Sequence, residues 1–357
     1  MDVGNFDYHL PRELIAQSKS SPRDSSRLLH IDASDESPVI HHRRFRDLPE
    51  IMRQGDILIL NRSRVIPARV SARKKTGGKA EVLFLKKEND SLWEALIGGK
   101  GIKAGDRLVC GDNSTVKIKE RVQEGKCLVE MEKNGQILNG DRIIEWMNSV
   151  GDMPTPPYIK RELKDPEEYQ TIYSDEEGSV AAPTAGLHFT DDLMERLKER
   201  GVEIRYVTLH VGLGTFAPVK CDNINDHVME EEWYVIPDDT MESVRSAVKS
   251  HESVGSRRIW PVGTTVMRTL ESGFDSFGNC LKKEGLSGLF IKPGHRFSLP
   301  YAGFITNFHL PRSTPLMLVS AFYDRRKILD AYEEAKRNGY RFYSLGDSMI
   351  IDRRGRD

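Results

Sequence analysis

Four short segments between Pro183 and Pro311 set histidine, arginine or threonine beside glycine or proline. They are PTAGLHFT (183–190), LHVGLGTFAPV (209–219), GTTVMRTLE (263–271) and TNFHLP (306–311). Glycine lets the backbone approach a ligand and proline fixes a turn, so polar groups in such settings lie at loop ends. Histidine moves protons near neutral pH, and arginine binds carboxylate or phosphate groups bidentately. We interpret the four segments as parts of one binding cleft.

The elements that must position these segments alternate between strand and helix. The hydrophobic pattern predicts helices over 142–148, 191–200, 239–249, 266–271, 316–322 and 328–337. It predicts strands over 202–211, 257–263, 304–311 and 340–352. Thr190 and either Ser313 or Thr314 are suitable N-caps, and Gly201 is a helix stop. This pattern predicts an α/β fold, in which ligands bind where the strands end.

The segment GTTVMRTLE places a glycine turn directly before a predicted helix. The first N–H groups of a helix have no partner within it, and together with threonine hydroxyls they bind anions or ribose hydroxyls. Thr264 and Thr265 supply those hydroxyls, and Arg268 follows one turn later. We expect this segment to hold a carboxylate, a ribose hydroxyl or a phosphate.

The chain changes character between about residues 57 and 150. Short β-rich runs extend from DILILN (56–61) to KCLVEME (126–132), separated by Gly, Asp and Asn turns. The proline-rich segment MPTPPYI (153–159) then leads out of this region. We therefore expect a compact all-β unit over 61–150, inserted into a discontinuous α/β domain formed by 1–60 and 151–357.

Composition limits the class of protein. The chain has 357 residues, and its 53 basic and 54 acidic residues leave a formal charge of −1, so it is not a globally basic nucleic-acid binder. No apolar run is long enough for a membrane span, and the N-terminus lacks the pattern of a signal peptide, so we expect a cytoplasmic protein. The four cysteines are scattered, which indicates neither a disulfide framework nor a zinc knuckle. Local basic clusters that could follow a phosphate backbone are 43–46, 73–75, 257–258 and 353–356.

Several familiar motifs are weak or missing. GLGTF is only part of a dinucleotide fingerprint, because its third glycine is absent. His227 and Glu231 have helical spacing, but they lack the HExxH order of a metal site and lie in a run of acidic residues. No GxSxG, Walker A or CxxC sequence is present. The four segments taken together therefore carry more weight than any single motif.

Eight strings spread in order along the chain carry a family resemblance. They are FDYHLPRELIAQ (6–17), NRSRVIPARV (61–70), PTAGLHFT, LHVGLGTFAPV, GTTVMRTLE, ITNFHLPRST (305–314), LMLVSAF (316–322) and YRFYSLGDSMI (340–350). Together they resemble the S-adenosylmethionine:tRNA ribosyltransferase-isomerases of queuosine biosynthesis. Arg62, Ser63 and Glu230 depart from the family pattern, so no catalytic role is expected for them.

The resemblance implies a fold and a reaction. The fold is an α/β domain interrupted by a β-barrel, which agrees with the insertion inferred from the turns. The reaction transfers the ribosyl part of S-adenosylmethionine, a co-substrate, to 7-aminomethyl-7-deazaguanine at the wobble position of tRNA. It yields epoxyqueuosine and releases adenine and methionine. No metal is expected, and we expect the enzyme to act as a monomer away from any membrane.

That reaction requires a base near the ribose C5′ carbon and an acid near adenine. We hypothesise that His188, His210, Glu232 and His309 are the catalytic proton carriers, and that Arg268 acts with them by orienting the cofactor carboxylate or a tRNA phosphate. The residues expected to bind the cofactor are Thr184, Gly186, Gly212, Gly214, Thr215, Gly263, Thr264, Thr265 and Asn307. Aromatic rings that could hold the sulfonium are those of Phe189, Phe216 or Phe308. The predicted tRNA-binding residues are Arg64, Arg69, Arg73, Lys74 and Lys75.

Two other functions remain open at this point. The first is an S-adenosylmethionine-dependent RNA methyltransferase, although no clear glycine-rich methyltransferase loop follows an N-terminal strand. The second is a non-catalytic RNA-binding barrel, which the concentration of histidine, arginine and threonine in the α/β part disfavours. Release of free adenine distinguishes the transfer reaction from both.

Overall fold

The fold was analysed in a computed structural model. It describes residues 1–35, 38–123, 125–161, 163, 165–212, 219–251 and 257–353. Within these residues the strands are β1 (Arg27–Asp32), β2 (Val39–Arg44), β3 (Ile57–Asn61), β4 (Ser63–Val65), β5 (Arg69–Lys74), β6 (Lys79–Lys87), β7 (Leu92–Gly98), β8 (Arg107–Cys110), β9 (Thr115–Gln123), β10 (Lys126–Lys133), β11 (Gln136–Ile137), β12 (Glu176–Ser179), β13 (Glu203–Leu209), β14 (Glu232–Val235), β15 (Ile259–Pro261), β16 (Glu284–Ser287), β17 (Gly303–Asn307) and β18 (Ser348–Asp352).

The α-helices of the same residues carry the expected end signals. They are α1 (Leu48–Ile51), α2 (Asp141–Val150), α3 (Asp191–Glu199), α4 (Asp238–Ser250), α5 (Thr264–Gly273), α6 (Thr314–Phe322) and α7 (Arg325–Arg337). The Thr190 side chain accepts a hydrogen bond from the Leu193 N–H, and Ser313 does the same for Leu316. Both predicted N-caps are therefore confirmed. No helix in the described part of the chain is long and apolar enough to cross a membrane.

Two mixed sheets form the α/β part. One has the strand order β15–β3–β13–β14–β16, and the other has the order β17–β18–β1–β2. Strand β3 is parallel to both β13 and β15. Two parallel bridges, Ile259–Tyr301 and Val262–Ile305, join β15 to β17 and connect the sheets. Four neighbouring parallel strands therefore end at one edge, in the order β13, β3, β15 and β17.

The sequence of β3 explains its central place. Ile57 and Ile59 pack in the same core cluster as α5 residues, whereas Leu58 and Leu60 pack in another cluster with α3 residues. A strand buried on both faces is a continuous apolar run, which is typical of parallel sheets. The β-rich runs of the sequence begin with DILILN, but β3 pairs with strands more than a hundred residues away and so belongs to the α/β sheet. The boundaries 60/61 and 150/151 stay a prediction.

The inserted region forms a closed barrel. Its strands follow the order β10–β7–β6–β5–β8–β9, and β9 pairs with β10 to close the ring. Helix α2 contributes Trp146 to the barrel core, where its indole N–H donates to Ser114 Oγ at 2.9 Å. The predicted fold class, an α/β domain interrupted by a β-barrel, is confirmed. A continuous strand over 340–352 is not observed, because Ser348–Asp352 forms a strand whereas Phe342 makes only a single bridge to Ile15 and Tyr343 adopts a left-handed φ of 72°.

Candidate functional site

A cavity lies at the edge where β13, β3, β15 and β17 end. Its accessible volume is about 60 Å³, which is smaller than the roughly 300–1,000 Å³ that is typical of small-molecule sites. The lining residues are Tyr158, Ala182, Pro183, Thr184, Ala185, Val211, Gly263, Thr264, Thr265, Thr306, Asn307, Phe308, His309, Leu310, Ser313, Pro315, Tyr343 and Ser344. Each of the four glycine- and proline-bordered segments contributes to this lining. Residues 213–218 of the second segment, including Gly214, Thr215 and Phe216, lie outside the described residues.

Asn61 connects the end of β3 to the end of β13 and to the first turn of α5. Its Oδ1 accepts hydrogen bonds from the Ser63 N–H at 3.0 Å and the Leu209 N–H at 3.1 Å. Its Nδ2 donates to the Leu209 carbonyl at 3.0 Å and to Thr265 Oγ1 at 3.4 Å. Sequence reasoning missed this residue, although a polar side chain that ends an apolar strand is a usable signal. Asn61 therefore fixes the position of Thr265, which lines the cavity, relative to β3 and β13.

The N-terminus of α5 faces the cavity without a cap. Gly263 occupies the N-cap with a φ of 90°, a conformation that favours glycine, and its N–H donates to the Ile305 carbonyl at 2.8 Å. No side chain caps this helix, and its first turn contains no acidic residue. Thr264 and Thr265 both line the cavity, as predicted for an anion or ribose site. Their role as cofactor ligands stays a prediction.

Asn307 has one free oxygen in the wall of the cavity. It is 2% exposed, and its Nδ2 donates to the Tyr343 carbonyl and to His188 Nε2, both at 3.2 Å. The Tyr343 carbonyl fixes the orientation of the amide, because a carbonyl can only accept. Within the described residues, Asn307 Oδ1 has no hydrogen-bond partner. A buried acceptor left unpaired costs about 1–3 kcal/mol, so it is a natural contact for a ligand donor.

His309 is the predicted catalytic histidine that lines the cavity. Its Nε2 lies 2.9 Å from Thr306 Oγ1, and its backbone is held by two tyrosine hydroxyls. Tyr332 donates no proton here but accepts from the His309 N–H at 3.0 Å, and Tyr8 donates to the His309 carbonyl at 2.5 Å. Burial lowers the pKa of His309 to about 3, so the ring is neutral at pH 7. A neutral imidazole in a cavity wall can accept a proton.

His188 lies behind the cavity wall instead of in it. Its Nδ1 is 2.8 Å from Ser26 Oγ, its Nε2 accepts from Asn307, and its ring stacks on Phe45 at 4.9 Å. Burial is the main reason that its pKa falls to about 3, and the nearby positive charges of Arg341 and Arg23 lower it further. Both ring nitrogens are engaged, so the observed contacts place His188 as a support for Asn307.

Glu232 and Arg268 form a buried ion pair beside the cavity. Each is 5% exposed, and Arg268 Nη1 donates to Glu232 Oε2. Arg268 also donates to the carbonyls of Ser287 at 3.0 Å and Leu289 at 3.2 Å. Glu232 Oε1 accepts from the Gly212 N–H at 2.7 Å, which anchors the loop after β13. This pair organises the loop, and its predicted catalytic role is untested.

His210 points away from the cavity. Side chains alternate along an extended chain, so His210 faces the side opposite to Val211, which lines the cavity. Its ring stacks on Trp233 at 5.1 Å, and burial lowers its pKa to about 4. A Cβ on Gly178 would lie 2.8 Å from His210 Nε2, so a larger residue at 178 would displace the ring. His210 is therefore held between a tryptophan and a tight backbone segment.

The remaining predicted ligands divide between lining and packing roles. Thr184 and Phe308 line the cavity. Gly186 is buried in a 3₁₀ turn, where a Cβ would lie 2.1 Å from the Tyr173 hydroxyl, and Phe189 packs against Phe45 in the core. Close packing thus accounts for glycine at 186.

Other lining residues were not predicted. Tyr158 and Ser344 join across the cavity mouth through their hydroxyls, 2.5 Å apart, and the Tyr158 and Tyr343 rings lie 4.9 Å apart. Tyr343 and Ser344 lie in the string YRFYSLGD, which carried the resemblance without receiving a role. Its proximity to the site comes from the pairing of β18 with β17.

Some of the predicted tRNA-binding residues form ion pairs within the protein, and others do not. Arg64 pairs with Glu167, and Arg69 pairs with Glu81 at 3.1 Å. Lys74 Nζ donates to the Lys100 carbonyl at 2.8 Å, and Arg73 and Lys75 are exposed. Across the described residues, 73–75 form no ion pair, and their role in binding tRNA stays a prediction.

The residues described above match a known family over almost the whole chain. Residues 3–351 match the model of the family described as queuosine biosynthesis protein. The chain belongs to the queuosine biosynthesis protein family. The resemblance inferred from the eight strings is therefore confirmed.

Named relatives of this queuosine family chain cover it from end to end. An S-adenosylmethionine:tRNA ribosyltransferase-isomerase of Staphylococcus saprophyticus is 45% identical, and the match covers 98% of this chain and 100% of the relative. The protein of that name in Thermus thermophilus is 47% identical over 97% of this chain and 98% of its own. The crystal structure of S-adenosylmethionine tRNA ribosyltransferase from Thermotoga maritima is 34% identical, with a TM-score of 0.52 over 97% of this chain and 99% of that chain. These relatives are transferases by name, which is the predicted enzyme class.

Proposed function

We propose that this member of the queuosine family transfers the ribosyl part of S-adenosylmethionine to 7-aminomethyl-7-deazaguanine at the wobble position of tRNA. The product is epoxyqueuosine, and adenine and methionine are released. Family membership and the names of full-length relatives support an S-adenosylmethionine:tRNA ribosyltransferase-isomerase. The observation that carries the proposal is the cavity at the strand ends, which combines neutral His309, an uncapped helix N-terminus and the free Asn307 Oδ1.

The proposed chemistry assigns His309 to proton transfer. The positive sulfonium acidifies the hydrogens on the neighbouring ribose C5′ carbon, and His309 is the histidine in the cavity wall whose unprotonated ring can accept one of these protons. Thr306 Oγ1, 2.9 Å from His309 Nε2, fixes the ring and leaves Nδ1 as the nitrogen for the substrate. Activation comes from the sulfonium charge and from protonation of adenine, so the scheme assigns no role to a metal.

The test is a search for free adenine. The protein is incubated with S-adenosylmethionine and a tRNA that carries the deazaguanine precursor, and the products are separated by chromatography and mass spectrometry. We expect adenine, methionine and modified tRNA in equal amounts. S-adenosylhomocysteine with methylated tRNA would indicate a methyltransferase, and tRNA binding without any product would indicate a non-catalytic binder.

The barrel supplies the proposed tRNA clamp. Reversing the charges of Arg73, Lys74 and Lys75 to glutamate is expected to weaken tRNA binding at least tenfold. It should also reduce the slope of log affinity against log salt by about two, because each phosphate contact contributes roughly 0.7–0.9. Binding is measured by fluorescence anisotropy over a range of salt concentrations.

The matched control reverses three exposed charges elsewhere, at Lys198, Arg200 and Arg326. It changes the net charge equally, so it corrects for general electrostatic attraction. Equal losses in both triple variants, or an unchanged slope in the barrel variant, would place the clamp outside 73–75.

A further inference from the structure

We propose that the N-terminus of α5 and Asn307 Oδ1 together bind the α-amino acid end of S-adenosylmethionine. The helix N–H groups would hold the carboxylate, and Asn307 Oδ1 would accept from the ammonium group. This inference rests on the proposed function, because it assigns the orientation of the co-substrate in the same cavity. It goes further by naming which part of the lining recognises which group.

The helix end is built for an anion. The first N–H groups of any helix lack partners within the helix, and the helix dipole adds partial positive charge there. In α3, the Thr190 cap and two acidic residues in the first turn satisfy these N–H groups and the dipole. In α6, the Ser313 side chain caps the first turn. Helix α5 has neither a side-chain cap nor an acidic residue in its first turn. Its N-terminal residues Thr264 and Thr265 open directly into the cavity.

Asn307 provides an acceptor for a hydrogen-bond donor in another part of the same lining. It is 2% exposed, and its Oδ1 has no partner in the described residues because its amide nitrogen is the atom that donates to the Tyr343 carbonyl. Arg268, one turn along α5, does not compete for the carboxylate, since its guanidinium already binds Glu232, Ser287 and Leu289. Carboxylate is the anion of S-adenosylmethionine, and its α-ammonium group is the neighbouring strong donor. One amino acid group therefore satisfies both parts of the lining.

The helix amide can be removed without removing the helix. Proline is tolerated at the first position of a helix, because its missing N–H would have had no partner there. Gly263 has a ψ of 152°, which is compatible with a following proline. Thr264→Pro therefore removes one N–H and the hydroxyl, whereas Thr264→Val removes the hydroxyl alone. The pair of variants separates the backbone contact from the side chain.

The experiment measures dissociation constants by calorimetry for S-adenosylmethionine and its decarboxylated analogue. Wild type is expected to prefer S-adenosylmethionine by about 10- to 150-fold, which corresponds to a charged hydrogen bond of about 1.5–3 kcal/mol. Thr264→Pro should lose most of this preference, and Thr264→Val should keep it. Thermal unfolding of both variants confirms that the fold is intact. Equal binding of the two ligands to wild type overturns the inference and leaves the proposed function standing.

A second pair of ligands tests Asn307. An analogue that lacks the α-amino group should bind wild type roughly tenfold more weakly, since one buried hydrogen bond is lost. Asn307→Ser should bind both ligands alike. If that variant fails to fold because His188 and Tyr343 lose their contact, the comparison on wild type still decides. Failure of S-adenosylmethionine itself to bind would count against the proposed function as well.

A tRNA phosphate is the other anion that could reach α5. A tRNA anticodon arm that competes with S-adenosylmethionine for wild type, but leaves its binding to Thr264→Pro unchanged, would assign the helix end to phosphate and overturn the inference. Simultaneous binding of both ligands supports it.

Discussion

Replacing His309 with glutamine is expected to slow adenine release from S-adenosylmethionine by about 100- to 10,000-fold, the usual contribution of a positioned acid or base. The affinity for S-adenosylmethionine should change by less than about threefold. Glutamine keeps a polar group near Thr306 but cannot accept a proton at neutral pH. Single-turnover adenine release and calorimetric binding separate the chemical step from ligand affinity.

The rate of adenine release should also depend on pH in a way that reports the protonation of His309. Burial lowers the pKa of His309 to about 3, so its proton-accepting form is already dominant at pH 5 and above. The rate should therefore fall only as the pH approaches 3, where His309 becomes protonated. An ordinary histidine, with a pKa of about 6.5, would cause this fall near neutral pH. His41→Gln, at an exposed position on β2, is the control and should leave the rate unchanged. A His309→Gln rate within tenfold of wild type would remove His309 from the chemistry.

Replacing Arg268 with methionine is expected to lower the free energy of unfolding by about 3–5 kcal/mol. The change removes the Arg268 charge from its buried ion pair with Glu232, and removing one member of a buried ion pair is strongly destabilising. It also leaves the Ser287 and Leu289 carbonyls without their donor. Urea unfolding followed by circular dichroism measures the loss.

The control for this prediction is Arg337→Met on α7. Arg337 forms an exposed ion pair with Glu334 at 3.4 Å, and such pairs contribute about 0–1 kcal/mol. A double variant, Arg268→Met with Glu232→Leu, should recover part of the lost stability because both members of the buried pair are then removed. Similar losses for Arg268→Met and Arg337→Met would contradict the account of a buried pair.

The sequence predicted those features that depend on neighbouring residues, such as helix caps. Thr190 and Ser313 cap their helices as expected. In the insert, consecutive strands such as β5 and β6 pair across a short turn, whereas the pairings of β5 with β8 and of β7 with β10 are not set by local turns. The run of β-rich segments that begins with DILILN does not show which sheet each strand joins, because the partner of a strand is a non-local property. The unbroken apolar run of DILILN, buried on both faces, was the signal that could have placed it in the parallel sheet.

The site residues show the same division. The segments that meet at the cavity were identified, since glycine and proline mark the loops at strand ends. The direction of each side chain was not, because His210 and Val211 are neighbours in sequence and point to opposite sides. The engagement of Arg268 by Glu232 and of His188 by Ser26 also depends on residues far away in the chain. Asn61 and Tyr158 were missed for that reason.

The β-bridge between Arg69 and Asp152 bears on how the chain finds its fold. Their backbones exchange hydrogen bonds of 3.2 and 2.7 Å, so the chain enters and leaves the barrel at neighbouring points. A barrel that folds first thus brings together the two halves of the α/β sheet before β3 meets β13. The loop that remains to be closed is roughly halved, which lowers its entropic cost by about 0.6 kcal/mol. A barrel that folds first would therefore shorten the loop that must close when β3, which contains Asn61, pairs with β13.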